Sequence, residues 1–159
     1  MNREFVTRLE NWASILFFVL GTVFSVLALA AELVGLDLTP GFGMIQMAQL
    51  LLGLTMLTLA GYLRVHSERR RDAPRSLQAD IGVRLGATGL VFAYVSGLAD
   101  LIGIGTHVDP SFERPFVGPL QLGGLLIGVL AITAGLLLYY TSRGSRETSS
   151  LKALIPESD

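Results

Sequence analysis

The sequence contains no cysteine, and only 16% of its 159 residues are charged. Without cysteine the chain has no disulfide scaffold, no thiolate metal site and no cysteine nucleophile. Ordinary soluble domains carry about 25% charged residues, and here the charges are missing from long continuous stretches. A formal net charge of −1 argues against nucleic acid as a partner. Together with 51% apolar residues, the shortage of charge predicts an integral membrane protein.

Motifs for catalysis and cofactor binding are also missing. The sequence has no Walker A motif, no HExxH and no GxSxG. Its two histidines, His66 and His107, lie outside the apolar stretches, which excludes a bis-histidine haem among them. His107, Asp109 and Glu113 offer nitrogen and oxygen ligands for a divalent metal, but their spacing matches no ligand motif and equally suits a solvated loop. We predict no enzymatic activity, no cofactor and no bound metal.

Four apolar stretches are each long enough to cross a bilayer as a helix, which takes about 20 residues. They run from about residue 12 to 36, 44 to 63, 85 to 104 and 120 to 140. In lipid each backbone polar group must be satisfied within its own segment, so the stretches are helices. We predict an all-α integral membrane protein, with one domain of four transmembrane helices over residues 1–140 and a flexible cytoplasmic tail over residues 141–159.

The distribution of basic residues predicts the orientation. Of the twelve lysines and arginines, only Arg114 falls in the loops after the first and third stretches. The positive-inside rule places the other loop and both termini in the cytoplasm, typical of a multi-pass protein of a prokaryotic plasma membrane. Ala28-Leu29-Ala30 resembles a signal-peptidase site, but the length of the first stretch favours a retained helix.

A basic cluster and several aromatic residues mark the predicted cytoplasmic boundary. The cluster is interpreted as a topology determinant, with binding of anionic lipid headgroups as the alternative; it comprises Arg69, Arg70, Arg71 and Arg75. The aromatic residues are interpreted as interfacial anchors; they are Trp12, Tyr62, Tyr139 and Tyr140.

The two halves of the chain resemble each other. The first stretch matches the third at an offset of 68, as in Gly21 over Gly89, and the second matches the fourth at an offset of 75, as in Gln46 over Gln121. We interpret this as a tandem duplication of a helical hairpin, with repeats over about 12–63 and 85–140 related by a pseudo-twofold axis along the membrane normal.

Small residues in each stretch recur at spacings of three and four, which predicts closely packed helix seams. The glycines predicted to mediate packing are Gly21, Gly35, Gly53, Gly89, Gly103, Gly124, Gly128 and Gly135.

Glu32 and Asp100 are the only formal charges within the four stretches, and each lies near the outer end of its helix. One interpretation is structural: each carboxylate hydrogen-bonds Gln46 or Gln121 in the facing helix. The other is functional, because carboxylates within a membrane commonly mark ion or proton sites. Two acids and two amides around a pseudo-twofold would then form a cation or proton site open to the outside.

The sequence therefore predicts a non-catalytic accessory subunit that packs against a larger membrane complex or against copies of itself. The alternative is a small oligomeric channel or transporter that uses Glu32 and Asp100. The expected partners are membrane lipids and other membrane subunits or a second copy of the chain.

Overall fold

In the computed structural model the chain is all-helical, and the structure describes residues 3–34, 43–68, 76–99 and 117–142. The four helices are α1 (Arg3–Val34), α2 (Met44–Glu68), α3 (Leu77–Gly97) and α4 (Pro119–Thr141). Three segments of them are long and apolar enough to cross a membrane: Arg8–Ala30, Met44–Ser67 and Pro119–Thr141. The predicted helical class is confirmed, and so is the number of helices within the described residues.

The helix α3 differs from the apolar stretch predicted for it. It begins at Leu77 rather than near Leu85, so that Asp80 and Arg84 fall inside it. Within the described residues α3 is not among the three candidate membrane-spanning segments. The helix starts early because Ser76 caps it: the Ser76 hydroxyl accepts a hydrogen bond from the backbone N–H of Ala79 at 3.2 Å.

The helices pair as two antiparallel hairpins, α1 with α2 and α3 with α4, and each pair packs along most of its length. The hairpins meet through α2, which packs against both α3 and α4, whereas α1 packs extensively only against α2 among the described residues. A twofold axis would pack α1 against α4 in the way that α2 packs against α3. The described part of the chain therefore departs from the predicted pseudo-twofold arrangement.

Most buried positions carry small residues, whereas many large apolar side chains are exposed. The buried positions of α3 are all alanine or glycine, and the largest fully buried side chains within the described residues are Met47 and Leu51. Large apolar side chains on all four helices are exposed, among them Trp12 and Leu120. With so little side-chain volume between them, helix backbones approach each other closely.

Candidate functional site

The first hairpin closes where Gly21 of α1 meets Gly53 of α2. A Cβ atom added to Gly21 would lie 2.9 Å from the Gly53 carbonyl oxygen, and one added to Gly53 would lie 2.9 Å from the Gly21 carbonyl oxygen. Real Cβ atoms essentially never approach another heavy atom within 3.0 Å. The Leu57 side chain at Gly21 and the Ser25 hydroxyl at Gly53 also obstruct such an atom. Because backbone atoms are among the obstructing atoms at both positions, a larger residue at either one requires the helices to separate.

The second hairpin repeats this contact in the same register. A Cβ on Gly89 would lie 2.7 Å from the Gly128 carbonyl oxygen, and one on Gly128 would lie 2.8 Å from the Gly89 carbonyl oxygen. Gly89 follows Gly21 by 68 residues and Gly128 follows Gly53 by 75, which are the two offsets found in the sequence. The hairpins thus share a reciprocal contact of glycine with glycine at equivalent positions.

A second pair of equivalent contacts lies farther from the connection between the two helices of each hairpin. In the first hairpin the Ser14 hydroxyl donates to the carbonyl of Ala60 at 3.0 Å. The equivalent positions of the second hairpin are Gly82 and Gly135, where a Cβ on Gly135 would lie 2.6 Å from the Gly82 carbonyl oxygen. A buried serine hydrogen bond in one hairpin is replaced by direct backbone contact in the other.

Of the remaining glycines predicted to lie in the seams, one makes a close contact and two lie outside the described residues. Gly124 lies directly against the Ser96 hydroxyl, whereas Gly35 and Gly103 lie outside the described residues. Sequence reasoning missed Gly82 and Gly86, which are both buried in α3. A signal for them exists in the sequence, because the spacing of Gly89 and Ala93 continues backwards through them at intervals of three and four.

Gln46 and Gln121 occupy the same local position at the start of their helices. The Gln46 Oε1 atom accepts from the Gly43 backbone N–H at 2.7 Å, and the Gln121 Oε1 atom accepts from that of Gly118 at 2.8 Å. Each glutamine reaches back to an N–H that the helix itself cannot satisfy, as in one half of a capping box. The repeated amides therefore share a structural role at the N-termini of α2 and α4.

The Gln121 amide also presents a buried donor. Its side chain is 7% exposed, and its Nε2 atom has no hydrogen-bond partner among the described residues. Glu32 lies in the last turn of α1, but its side chain, like the whole of Asp100, lies outside the described residues.

Tyr62 of α2 binds the second hairpin through a recess in α3. Its hydroxyl donates to the Gly82 carbonyl at 2.8 Å, and Gly86 leaves the space that the hydroxyl occupies, since a Cβ there would overlap it. The Tyr62 ring meets the Tyr139 ring edge-on at 5.5 Å between centroids. Tyr139 is buried and its hydroxyl lies 3.3 Å from the His66 Nδ1 atom. We call this group the tyrosine junction; it comprises Tyr62, His66, Gly82, Gly86 and Tyr139.

The tyrosine junction changes the interpretation of two predicted interfacial anchors. Tyr62 and Tyr139 join the hairpins rather than facing outward, whereas Trp12 and Tyr140 are exposed as predicted for anchors. Each of the two tyrosines finds a ring or carbonyl partner across the junction because the glycines of α3 leave room. The position of an aromatic residue along the chain does not indicate that room.

Further contacts hold α2 to the second hairpin beyond the tyrosine junction. The Thr55 hydroxyl lies 3.0 Å from the Tyr94 hydroxyl in a hydrogen bond. At the N-terminal end of α2, Met47 and Leu51 pack with Ala93. They also lie over Gly97, where an added Cβ atom would be 3.0 Å from the Met47 sulfur. The hairpins therefore join through side chains of α2, whereas the close contacts of backbone with backbone lie inside each hairpin.

The predicted lipid-binding arginines lie outside the described residues; they are Arg69, Arg70, Arg71 and Arg75. Arg84 forms an exposed ion pair with Asp80 at 2.9 Å, one turn away on α3. Exposed pairs of this kind contribute about 0.3–0.5 kcal/mol in a helix. Within the described residues no three histidine, aspartate or glutamate side chains cluster as metal ligands would.

Comparison with known proteins adds no relative from which a function could be transferred. No protein-family model matches the chain, and neither the curated proteins nor the solved structures give a match. Function is therefore inferred from the helix seams, the glutamine caps and the tyrosine junction.

Proposed function

We propose that the chain is a small multi-pass membrane protein whose four helices all cross the bilayer as two tandemly duplicated hairpins. Duplication is supported by three pairs of equivalent features: the glycine contacts, the seam positions occupied by Ser14 and Gly82, and the glutamine caps. Insertion is supported by the three apolar helices and by large apolar side chains exposed around the structure. The short α3 crosses together with α4, against which it packs along most of its length.

We further propose that both termini and the loop between the hairpins face the cytoplasm of a prokaryotic cell. In this orientation an impermeant thiol reagent applied outside should label Ser111→Cys and leave Ser67→Cys unlabelled, because only the former lies on the outer side. Each cysteine would be the only thiol in the chain. Both variants should react after the membrane is permeabilised. If only Ser67→Cys were labelled from outside, the orientation would be the opposite of the one proposed.

We propose that the chain functions as a non-catalytic accessory subunit, which acts by packing against other membrane helices. The observation that carries this proposal is that polar side chains in the seams hydrogen-bond to backbone groups of the protein itself. The Gln46 and Gln121 side-chain oxygens accept hydrogen bonds at helix N-termini, and the Ser14 and Thr58 hydroxyls donate to backbone carbonyls. These hydrogen bonds stabilise the protein's own helices and their packing, which supports a packing role for the chain.

The test of this proposal is ion and proton flux through the purified chain in proteoliposomes. We expect no flux for the wild type, and we expect Glu32→Gln and Asp100→Asn to keep the fold, since an amide retains hydrogen-bonding capacity at each position. Purification in mild detergent should retain a stoichiometric membrane partner or a second copy. A chain that purifies only as a monomer, with no partner, would contradict the subunit role.

A positive flux result would favour the alternative, a small oligomeric channel or transporter. The same variants then locate its site. Flux abolished by Glu32→Gln and by Asp100→Asn, with folding intact, would place the conducting site at these acids. Flux that survives in the double variant would place it elsewhere.

A further inference from the structure

Two exposed arginines and an exposed tryptophan lie near one level of the bundle, on three different helices. We call them the boundary belt; it comprises Trp12 of α1, Arg64 of α2 and Arg84 of α3. Trp12 is 72% exposed, the Arg84 side chain is 79% exposed, and Arg64 is exposed as well. Because the outer surface of a membrane bundle faces the bilayer, the depth of this belt decides what surrounds it.

Hydrogen bonds between helices fix the common level of the boundary belt. Across α1 and α2, the Ser67 hydroxyl donates to the Asn11 side-chain oxygen at 3.1 Å. Asn11 is the neighbour of the belt tryptophan, and Ser67 lies one turn beyond the belt arginine of α2. Across α2 and α3, the Tyr62 hydroxyl donates to the Gly82 carbonyl at 2.8 Å, and each residue lies just before the belt arginine of its own helix. The three belt side chains therefore start within about one helical turn, or about 5.4 Å, of the same level.

The distance of this level from the opposite end of the bundle matches the thickness of a bilayer. The hydrocarbon core is about 30 Å thick, and a helix crosses it in about 20 residues. Counted from the residues before α2 and α4 that the glutamines cap, Gly43 and Gly118, this length ends near Leu63 on α2 and near Leu138 on α4. Leu63 is the neighbour of Arg64, so the belt arginine of α2 lies at the predicted edge of the core.

Arg84 reaches the same edge through its side chain. A Cβ atom on Gly135 would lie 2.6 Å from the Gly82 carbonyl oxygen and 2.6 Å from the Gly86 nitrogen, so Gly135 is level with Arg84, which lies between these two glycines. At about 1.5 Å per residue, the Arg84 Cα atom is therefore about 4.5 Å inside the edge of the core. Its Nη2 atom is 2.9 Å from the Asp80 carboxylate, one turn nearer to the N-terminus of α3. The ion pair thus holds the guanidinium toward the membrane surface, as expected for an arginine whose stem lies along apolar surface.

We propose that the boundary belt binds the phosphate groups of phospholipids in the cytoplasmic leaflet, with the guanidinium groups of Arg64 and Arg84 as donors. The proposal rests on the membrane insertion and orientation proposed above, and it adds the ligand and its site. The headgroup layer begins where the hydrocarbon core ends, so lipid phosphates lie within reach of this level. A guanidinium presents five N–H donors in a planar fork that fits phosphate oxygens in pairs. Trp12 adds an amphipathic ring of the kind that is enriched at this depth.

The thermal unfolding midpoint of the purified chain in mild detergent tests the site. Added phosphatidylglycerol should raise the midpoint of the wild type by several degrees more than monoolein, a lipid without phosphate. The double variant Arg64→Gln with Arg84→Gln should lose this difference. Asp80→Asn is the matched control, because it breaks the same ion pair but keeps the guanidinium, and it should retain the difference. Inorganic phosphate should not reproduce the effect, since it is not delivered at the edge of the hydrocarbon core.

Several outcomes of this measurement would overturn the proposal. Equal midpoints of the wild type in the two lipids would do so, and so would a difference that persists in the double variant. Equal losses in Asp80→Asn and Arg84→Gln would mean that Arg84 serves the ion pair and not a lipid. An equal effect of inorganic phosphate would indicate an anion site open to water. If the double variant does not fold, Arg64→Lys with Arg84→Lys keeps both charges without the planar fork, and it should reduce the difference between the lipids.

Spin labels separate an error in this inference from an error in the proposed membrane insertion. Leu77 and Val91 are exposed on α3, on opposite sides of the proposed edge of the core. In phosphatidylcholine vesicles a label on Leu77→Cys should be accessible to a water-soluble nickel reagent, and a label on Val91→Cys to oxygen dissolved in lipid. A water-accessible label at Val91 would contradict insertion of α3 itself. A lipid-accessible label at Val91, combined with equal midpoints in the two lipids, would overturn the phosphate site alone.

Discussion

Replacing Gly128 by leucine is expected to separate α3 from α4 and to remove most of the folded protein. A Cβ at this position would lie 2.8 Å from the Gly89 carbonyl oxygen and 2.9 Å from the Ala93 backbone nitrogen. Backbone atoms of a helix cannot rotate away as a side chain can, so the helices themselves must move. Overpacking a well-packed interior typically costs about 1–3 kcal/mol, and the loss should approach the upper end here. Gly53→Leu should behave in the same way in the first hairpin.

The matched control lies on the same helix. A Cβ on Gly123 would meet no atom within 4 Å, so Gly123→Leu makes the same chemical change without a collision. Leucine is the better helix former by close to 1 kcal/mol, and we expect this variant to be as stable as the wild type or slightly more stable. The measurement is the thermal unfolding midpoint in mild detergent, together with the monodisperse fraction. Equal destabilisation of the two variants would mean that the seam of α4 has been assigned to the wrong face.

The second large effect is expected at the tyrosine junction. Gly86→Leu fills the recess that holds the Tyr62 hydroxyl, so it should push the hairpins apart while leaving each hairpin closed. A disulfide between Val65→Cys and Ala79→Cys reports the junction, because these residues pack together across it. Its yield should fall several-fold in Gly86→Leu. A disulfide between Ser14→Cys and Ala60→Cys, within the first hairpin, should be unchanged.

A second substitution that suppresses the effect of Gly86→Leu distinguishes a local collision from general misfolding. Tyr62→Ala removes the ring that the new leucine would strike, and in the Gly86→Leu background it should restore the junction disulfide in part. Tyr62→Phe removes only the hydrogen bond to Gly82, which is worth about 1 kcal/mol, and should have a smaller effect than Gly86→Leu. If Tyr62→Ala fails to rescue Gly86→Leu while the Ser14 and Ala60 disulfide still forms, Tyr62 is not what the leucine displaces.

The sequence predicts those features that depend on periodicity along one helix. The spacing of small residues indicates the close faces of the helices, because a seam repeats every three or four residues whatever lies opposite. The offsets of 68 and 75 align Gly21 with Gly89 and Gly53 with Gly128, and the structure brings each α1 or α3 glycine to its partner on the next helix.

Other features depend on contacts between distant segments and could not be predicted from spacing. The role of Tyr62 requires a recess formed by Gly82 and Gly86, which precede the predicted third stretch or lie at its beginning. The start of α3 at Leu77, by contrast, follows from a local signal, the Ser76 cap on the backbone N–H of Ala79, which hydropathy alone does not reveal.

The glutamines illustrate the same limit on a local scale. The matched positions of Gln46 and Gln121 predict a shared role, and the sequence interpretation assigns that role to contact with a facing helix. The structure shows a local capping bond that this interpretation did not include, from the backbone N–H of the residue three positions earlier to each glutamine side-chain oxygen. Equivalence between repeats is therefore visible in the sequence, whereas this local role of the two glutamines was not predicted.

Each hairpin is closed by contacts between its own two helices, whereas the hairpins are joined by side chains of α2. This difference affects the order in which the chain folds during its synthesis. The first hairpin contains every contact that closes it, so it can fold as soon as α2 has been made. At that moment Met47, Leu51 and Tyr62 have no partner, because the segment that covers them is still to be translated. This face of α2 is thus an exposed apolar surface of the nascent chain until the second hairpin arrives. Its lifetime is set by the time needed to synthesise and insert α3 and α4.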